Sequence, residues 1–255
     1  MTASLGTPIG LVIFDCDGVL VDTERIAVRV QREVLAALGW AMSEDEIIHR
    51  FIGRSAEAIC VMVDERLGPG TGARWHEAFH RRHRQEVDAG LPLVDGIADA
   101  LEAILPAFAT CIASGGSHVK MRHTLGVTGL YAHFEGRIFS SSEVPLGKPA
   151  PDVFLHAAAR MGVDPSTCVV IEDSHYGVQA ARAAGMRAYA YAGGLVPVDR
   201  LTGPDTIVFD DMRMLPRLLG LTDRAAQDPR AQDRRAQDPR AQDPRAQQRQ
   251  GQEQA

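Results

Sequence analysis

The chain has 255 residues, 45% of them hydrophobic and 24% charged, and a formal net charge of −6. That balance suits a globular protein with a substantial core, and it excludes the basic footprint of a nucleic-acid binder or of a protein held on an anionic membrane. No apolar run approaches the roughly 20 residues needed to cross a bilayer, and residues 1–10 contain no basic side chain, so neither a membrane span nor a signal peptide is expected and the expected location is the cytoplasm.

Residues 11–14 form an apolar run between Gly10 and Asp15, the pattern of a strand buried on both faces. The run empties into Asp15 and Asp17. Side chains two apart on an extended chain share a face, so both carboxylates are expected in one cleft, where their mutual repulsion invites a cation. An Asp-x-Asp pair alone is more often an acidic turn, and its meaning depends on what the other strand ends supply.

Residues 24–90 read as helical throughout. Ile26, Val30, Val34, Leu35 and Leu38 recur at helical spacing, Ser43 and Glu46 are placed as a capping box, and further helices are expected near 55–67 and 74–87, separated by a Gly/Pro turn at 68–72. A run of helices without strands implies an inserted helical domain, with its hinges near 20–24 and 89–96. From Ile97 the pattern becomes β-then-α, with strands expected at 109–113, 137–140, 168–171, 187–191 and 206–209. The fold class is therefore α/β: a Rossmann-like parallel sheet core, residues 8–22 and 92–222, with an all-helical cap domain, residues 23–91, inserted in it. In such sheets ligands sit beyond the carboxyl ends of the strands. From Ala226 an Ala-Gln-Asp-Pro-Arg unit recurs with period five, which matches neither helix nor strand, so 223–255 is expected to form a tail without a core. Cys16, Cys60, Cys111 and Cys168 show no metal-type spacing and are expected to be reduced.

Three further strand ends complement the first. Ser114-Gly115-Gly116-Ser117 offers a hydroxyl and unhindered backbone N–H groups to an oxyanion, Lys148 stands in a loop stiffened by Pro149 and Pro151, and Glu172-Asp173 is a second acidic pair at a buried strand's exit. Each has a plain structural reading: a turn, a solvated lysine, a helix cap. Together they supply acids for a hard cation, donors for an anion and a carboxylate nucleophile, which is the equipment of phosphoryl transfer.

Asp15-Cys16-Asp17-Gly18-Val19-Leu20-Val21-Asp22-Thr23-Glu24, Ser114-Gly115-Gly116-Ser117, Gly147-Lys148-Pro149-Ala150-Pro151-Asp152 and Glu172-Asp173-Ser174 resemble, in order and spacing, the four motifs of the haloacid dehalogenase superfamily. The branch resembled has a helical cap after the first motif and contains β-phosphoglucomutases and sugar-phosphate phosphatases, including 6-phosphogluconate phosphatases. The resemblance implies that Asp15 is the nucleophile and Asp17 the acid/base. It implies that Asp15, Asp17 (through its carbonyl), Asp173 and Glu172 hold or support Mg2+, and that Ser114, Gly115 and Lys148 grip the phosphoryl oxygens. Thr23, Glu24 and the cap turn Gly53-Arg54-Ser55 would face a small phosphorylated substrate, with the protein acting as a monomer or weak dimer. β-Phosphoglucomutases carry a histidine four residues after the motif's threonine; here that residue is Ala27, which favours a phosphatase over a phosphosugar mutase.

Three other readings are weaker. His76-Glu77-Ala78-Phe79-His80 matches His-Glu-x-x-His, the zinc peptidase helix, but lacks a convincing third ligand and falls in the helical insert. A receiver-type phosphorylatable module would have no cap and would carry its phosphorylated aspartate on a later strand. A nucleotide-dependent dehydrogenase would need a Gly-x-Gly-x-x-Gly after a strand.

Overall fold

Four side chains with no solvent exposure, Leu11–Phe14, form β1 at the centre of a six-stranded sheet. The computed structural model describes residues 8–52, 54 and 56–221, so Gly53, Ser55, Thr222 and the expected tail 223–255 lie outside the described residues. The chain divides into two units, Met1–Leu215 and Pro216–Ala255. The sheet and the helical insert lie together in the first.

After β1 come α1 (Thr23–Ala37), α2 (Glu44–Phe51), α3 (Ala56–Leu67) and α4 (Thr71–Ala89). The chain then alternates through α5 (Ile97–Ile104), β2 (Thr110–Ser114), α6 (His118–Val127), the short α7 (Tyr131–Phe134), β3 (Ile138–Ser140), α8 (Asp152–Met161), β4 (Cys168–Glu172), α9 (His175–Ala183), β5 (Arg187–Tyr191) and β6 (Thr206–Phe209). All strand pairs are parallel, in the order β3-β2-β1-β4-β5-β6. Phe14 stands level with Ile112 of β2 and Ile171 of β4, so three strands end side by side at Asp15, Ser114 and Glu172. Ile13 and Val170 pack with Phe154 of α8 and Val178 of α9, while Phe14, pointing the other way, meets the Phe134 ring edge-on at 6.1 Å. Helices thus cover both faces.

The helical insert has its own core, in which Ile26, Phe51, Val63 and Trp75 are at most 5% exposed. Local chemistry sets its helix ends. The Asp22 side chain accepts from Arg25 N at the start of α1, and Ser43 and Glu46 cap α2 reciprocally. The two connections to the sheet are tied to each other: Asp22 N donates to the Pro92 carbonyl (3.0 Å) and Val94 N to the Leu20 carbonyl (3.2 Å), around an antiparallel bridge of Val21 and Leu93.

Several boundaries differ from expectation by a residue or more, β3 and β4 among them, and two of the shifts have a clear packing cause. β2 runs one residue later than 109–113, because Ser114 is still in register with Ser140 of β3. The helix expected at 74–87 begins at Thr71 and takes in the end of the Gly/Pro turn. A Cβ on Gly72 would overlap the Cys60 carbonyl, so this glycine allows α3 and α4 to approach closely inside the helix. The four cysteines are free, and among the described residues no helix is long and apolar enough to cross a membrane.

Candidate active site

The floor of the site is built from the strand ends. Asp15, 6% exposed, accepts from Lys148 Nζ at 2.6 Å. The same ammonium donates to Glu172 Oε1 and lies 4.8 Å over the Phe154 ring. Glu172 is held in turn by the Ser174 backbone N–H and hydroxyl, both at 2.8 Å on Oε2. Ser174 also caps α9, its hydroxyl accepting from Gly177 N (3.0 Å). The Lys148–Pro149 peptide is cis.

Asp173 is buried, and its Oδ2 has no hydrogen-bond partner. Burial, with Glu24, Glu172 and Asp15 around it, drives its proton affinity well above the carboxylate range. Burial likewise lifts Asp15 to about 7, against the pull of Lys148, and Glu172 and Asp17 push it the same way. Glu24, which also has an unpartnered buried oxygen, is raised to about 7 by burial and by Asp17, Glu172 and Asp15. Lys148 is held charged: burial opposes the charge, but Asp15 and Glu172 outweigh it. Gly18 turns at φ +76°, and a Cβ there would overlap Asp173 Oδ2, so a glycine is required for the first strand's loop to pass over this carboxylate. The floor thus carries several acidic oxygens and one ammonium, a donor set suited to a hard divalent cation.

Asp17 stands on the other side of the loop. Thr23 Oγ1 donates to its Oδ1 (2.6 Å) and Lys120 Nζ to its Oδ2 (2.7 Å). Burial pushes Asp17 up, yet Lys120 and the two hydrogen bonds outweigh it and leave it below its ordinary value. Ser114 is 2% exposed and its hydroxyl accepts from Gly116 N (3.3 Å); the space where a Gly115 Cβ would stand is open. Asp15, Asp17, Glu172, Asp173, Lys148, Ser114, Gly115, Thr23 and Glu24 therefore all lie at the carboxyl end of the sheet. Arg54, on the insert, is exposed, with its Nε donating to the Arg50 carbonyl (2.6 Å).

Beyond Asp17 a cleft of about 730 Å3 opens between α1 and α4 on one side and α6 on the other. Arg54, Ala27 and Thr23 line it, and so does Lys120, which sequence reasoning missed. The available signal was positional. Ser117 caps α6 and accepts from Lys120 N, so the lysine occupies a first helical turn, where the helix dipole disfavours a cation. A lysine there needs a negative partner, and Asp17 is it. In α4, the Nε2 atoms of His76 and His80 lie 3.0 Å apart. Among the described residues no three His, Cys, Asp or Glu side chains are gathered as a bound metal needs, either here or on the floor, where the acids are of the right kind but the Lys148 ammonium stands between Asp15 and Glu172.

A family model described as haloacid dehalogenase-like hydrolase matches residues 9–185. The chain is similar to a 6-phosphogluconate phosphatase of Escherichia coli, 31% identical over 81% of this chain and 93% of that protein. It is also similar to a fructose-1-phosphate phosphatase of the same organism, 35% identical over 69% of this chain and 93% of the other. Among solved structures, a conserved haloacid dehalogenase-like protein from Agrobacterium tumefaciens superposes with a TM-score of 0.75 at 34% identity, covering 83% of this chain and 98% of its own.

Proposed function

The chain belongs to the haloacid dehalogenase-like hydrolase family and is a phosphoric monoester hydrolase, and from that premise we propose that it is a Mg2+-dependent phosphatase of small sugar or sugar-acid phosphates. The observation that carries this reading is the buried Lys148 ammonium bridging Asp15 and Glu172, beside the unpartnered Asp173. Asp15 Oδ attacks phosphorus, and Lys148, the Ser114 hydroxyl and the Gly115 N–H hold the phosphoryl oxygens as charge builds on them. Asp17, a carboxylate in the free enzyme, takes up a proton from solvent as the phosphate dianion enters beside it and gives that proton to the departing oxygen, so the alcohol leaves neutral and the phosphoryl group remains on Asp15. Asp17, now a carboxylate, takes a proton from water as that water attacks phosphorus, and inorganic phosphate and free Asp15 result. Thr23 and Lys120 fix the direction of the Asp17 carboxylate.

The Asp15, Asp173 and Glu172 carboxylates and the Asp17 carbonyl would hold or support the Mg2+. When bound, the cation offsets the negative charge of the phosphoryl group as Asp15 approaches it. Residues 23–91 act as a cap that closes over the sheet and excludes bulk water. Its paired connections supply the hinge, and Arg54 lines the cleft that the substrate enters. Ala27, lining the cleft close to Thr23, leaves the chain without the histidine that marks mutases in the branch it resembles. The enzyme works on small molecules in the cytoplasm, as a monomer or weak dimer; its four free cysteines suit a reducing compartment. Purified protein should release phosphate from an aryl phosphate with Mg2+ and stop when the metal is chelated. Release that is indifferent to chelation would contradict the metal dependence.

A further inference from the structure

The charge on the cleft walls is opposite to that of the floor. Arg84 of α4 and Lys120 of α6 line the cleft together with Arg54, and His80, His83 and His123 add imidazoles, whereas the carboxylates lining it are Asp17 and Glu24, both at the floor. Such a wall is unexpected in a chain of net charge −6. Several arginines of the insert are neutralised, Arg29 by Glu86 (2.6 Å), Arg32 by Glu44 (2.9 Å) and Arg82 by Glu33 (2.7 Å), while Arg50, Arg66 and Arg74, which do not line the cleft, have no such pair among the described residues. Arg84 and Arg54 have no carboxylate within ion-pair distance among the described residues. Lys120 spends one of its three donors on Asp17 and still lines the cleft. On the α1 side, Gln31 lines the same cleft, is 6% exposed, and its Oε1 has no partner. A buried amide oxygen without a donor is an acceptor waiting for one.

We infer that the substrate carries a second anionic group at the end remote from the scissile phosphate, received by Arg84, while Gln31 accepts from a hydroxyl of the chain between. This rests on the phosphatase reading above. A terminal carboxylate, as in an aldonic acid phosphate, and a second phosphate, as in a bisphosphate, share this chemistry. A neutral polyol phosphate of equal length lacks it and leaves Arg84 unanswered, and that difference is what discriminates between substrates.

The test compares kcat/KM of the full chain with Mg2+ on gluconate 6-phosphate, fructose 1,6-bisphosphate, glucitol 6-phosphate and 4-nitrophenyl phosphate. At least one doubly anionic ester should exceed glucitol 6-phosphate by about tenfold, chiefly through KM, and which one does so identifies the anion. Arg84 is exposed on its helix, so Arg84→Met should fold normally and reduce that ratio to about threefold or less, with Arg84→Lys keeping most of it. Hydrolysis of the aryl phosphate without preference among the sugar esters, or a preference untouched by Arg84→Met, overturns the inference and leaves the phosphatase reading standing. No phosphate release from any of the four overturns the phosphatase reading, and this inference with it.

Discussion

At the strand ends beneath the cleft, Asp15 and Glu172 are at most 6% exposed and share one lysine, in ion pairs set by buried parallel strands. On its wall, Arg84 is exposed on a helix surface, and Lys120 keeps 44% of its side chain in solvent. The floor carries charge where desolvation makes every missing partner expensive; the wall carries charge where water tolerates it. Chemistry common to all phosphate esters belongs on the first kind of surface. Discrimination among esters belongs on the second, because exposed residues can be exchanged without unfolding the protein.

The contrast can be broken or sharpened by mutation. The largest effect should come from Asp15→Asn, which removes the proposed nucleophile and should lower kcat by at least about 10⁴-fold with an unchanged circular dichroism spectrum. Next is Lys148→Met. It should cut kcat about 10²- to 10³-fold and, by leaving buried Asp15 and Glu172 without their cation, destabilise the metal-free protein by about 3–5 kcal/mol in urea titration. The corresponding wall change, Arg84→Met, should move the urea midpoint by no more than about 0.5 kcal/mol; an equal effect at both sites would erase the distinction. Trp75→Ala separates the packing of the insert from its chemistry. This residue is 1% exposed in the core of the insert, so the substitution should cost about 3–5 kcal/mol, and the surviving folded enzyme should still hydrolyse an aryl phosphate.

The smallest effect lies at the seam between floor and wall. Glu143 joins His118 of α6 (2.7 Å) to His156 of α8 (3.3 Å). Burial pushes its carboxyl up, but the Ser140 N–H and His118 outweigh that and hold it below its ordinary value of 4.5. A depressed carboxylate contributes its stability in full above its unfolded value and loses it as pH falls through the native one. The thermal midpoint should therefore drop on acidification below 4.5, and Glu143→Gln should drop less steeply. Identical acid slopes would remove Glu143 from the account.

The floor was legible because each part lies in a short local pattern: a buried strand, then the polar residues at its exit. Asp15, Ser114, Lys148 and Glu172 could each be placed from a handful of neighbours, and parallel-sheet topology brought them together. The wall was not legible in this way. The contact between Lys120 and Asp17 spans 103 residues of sequence, and no local pattern announces it beyond a lysine at the unfavourable end of a helix. Gln31 and Arg84 sit on amphipathic helices whose polar positions all look alike until the packing of α1 against α4 shows which of them face the cleft. Boundaries shifted for the same reason: the close approach of α3 at Gly72 moved the start of α4, and the register with β3 moved the end of β2.

The central claim is that Asp15 itself receives the phosphoryl group. Its most direct test is to mix the enzyme and Mg2+ with excess substrate, quench in acid within the first turnovers, and measure the masses of the peptides. The peptide containing residues 11–22 should gain the mass of one phosphoryl group, lose it on hydroxylamine treatment, and show neither change in Asp15→Asn. Steady phosphate release with that peptide never modified, and with Asp15→Asn still fully active, would contradict the account.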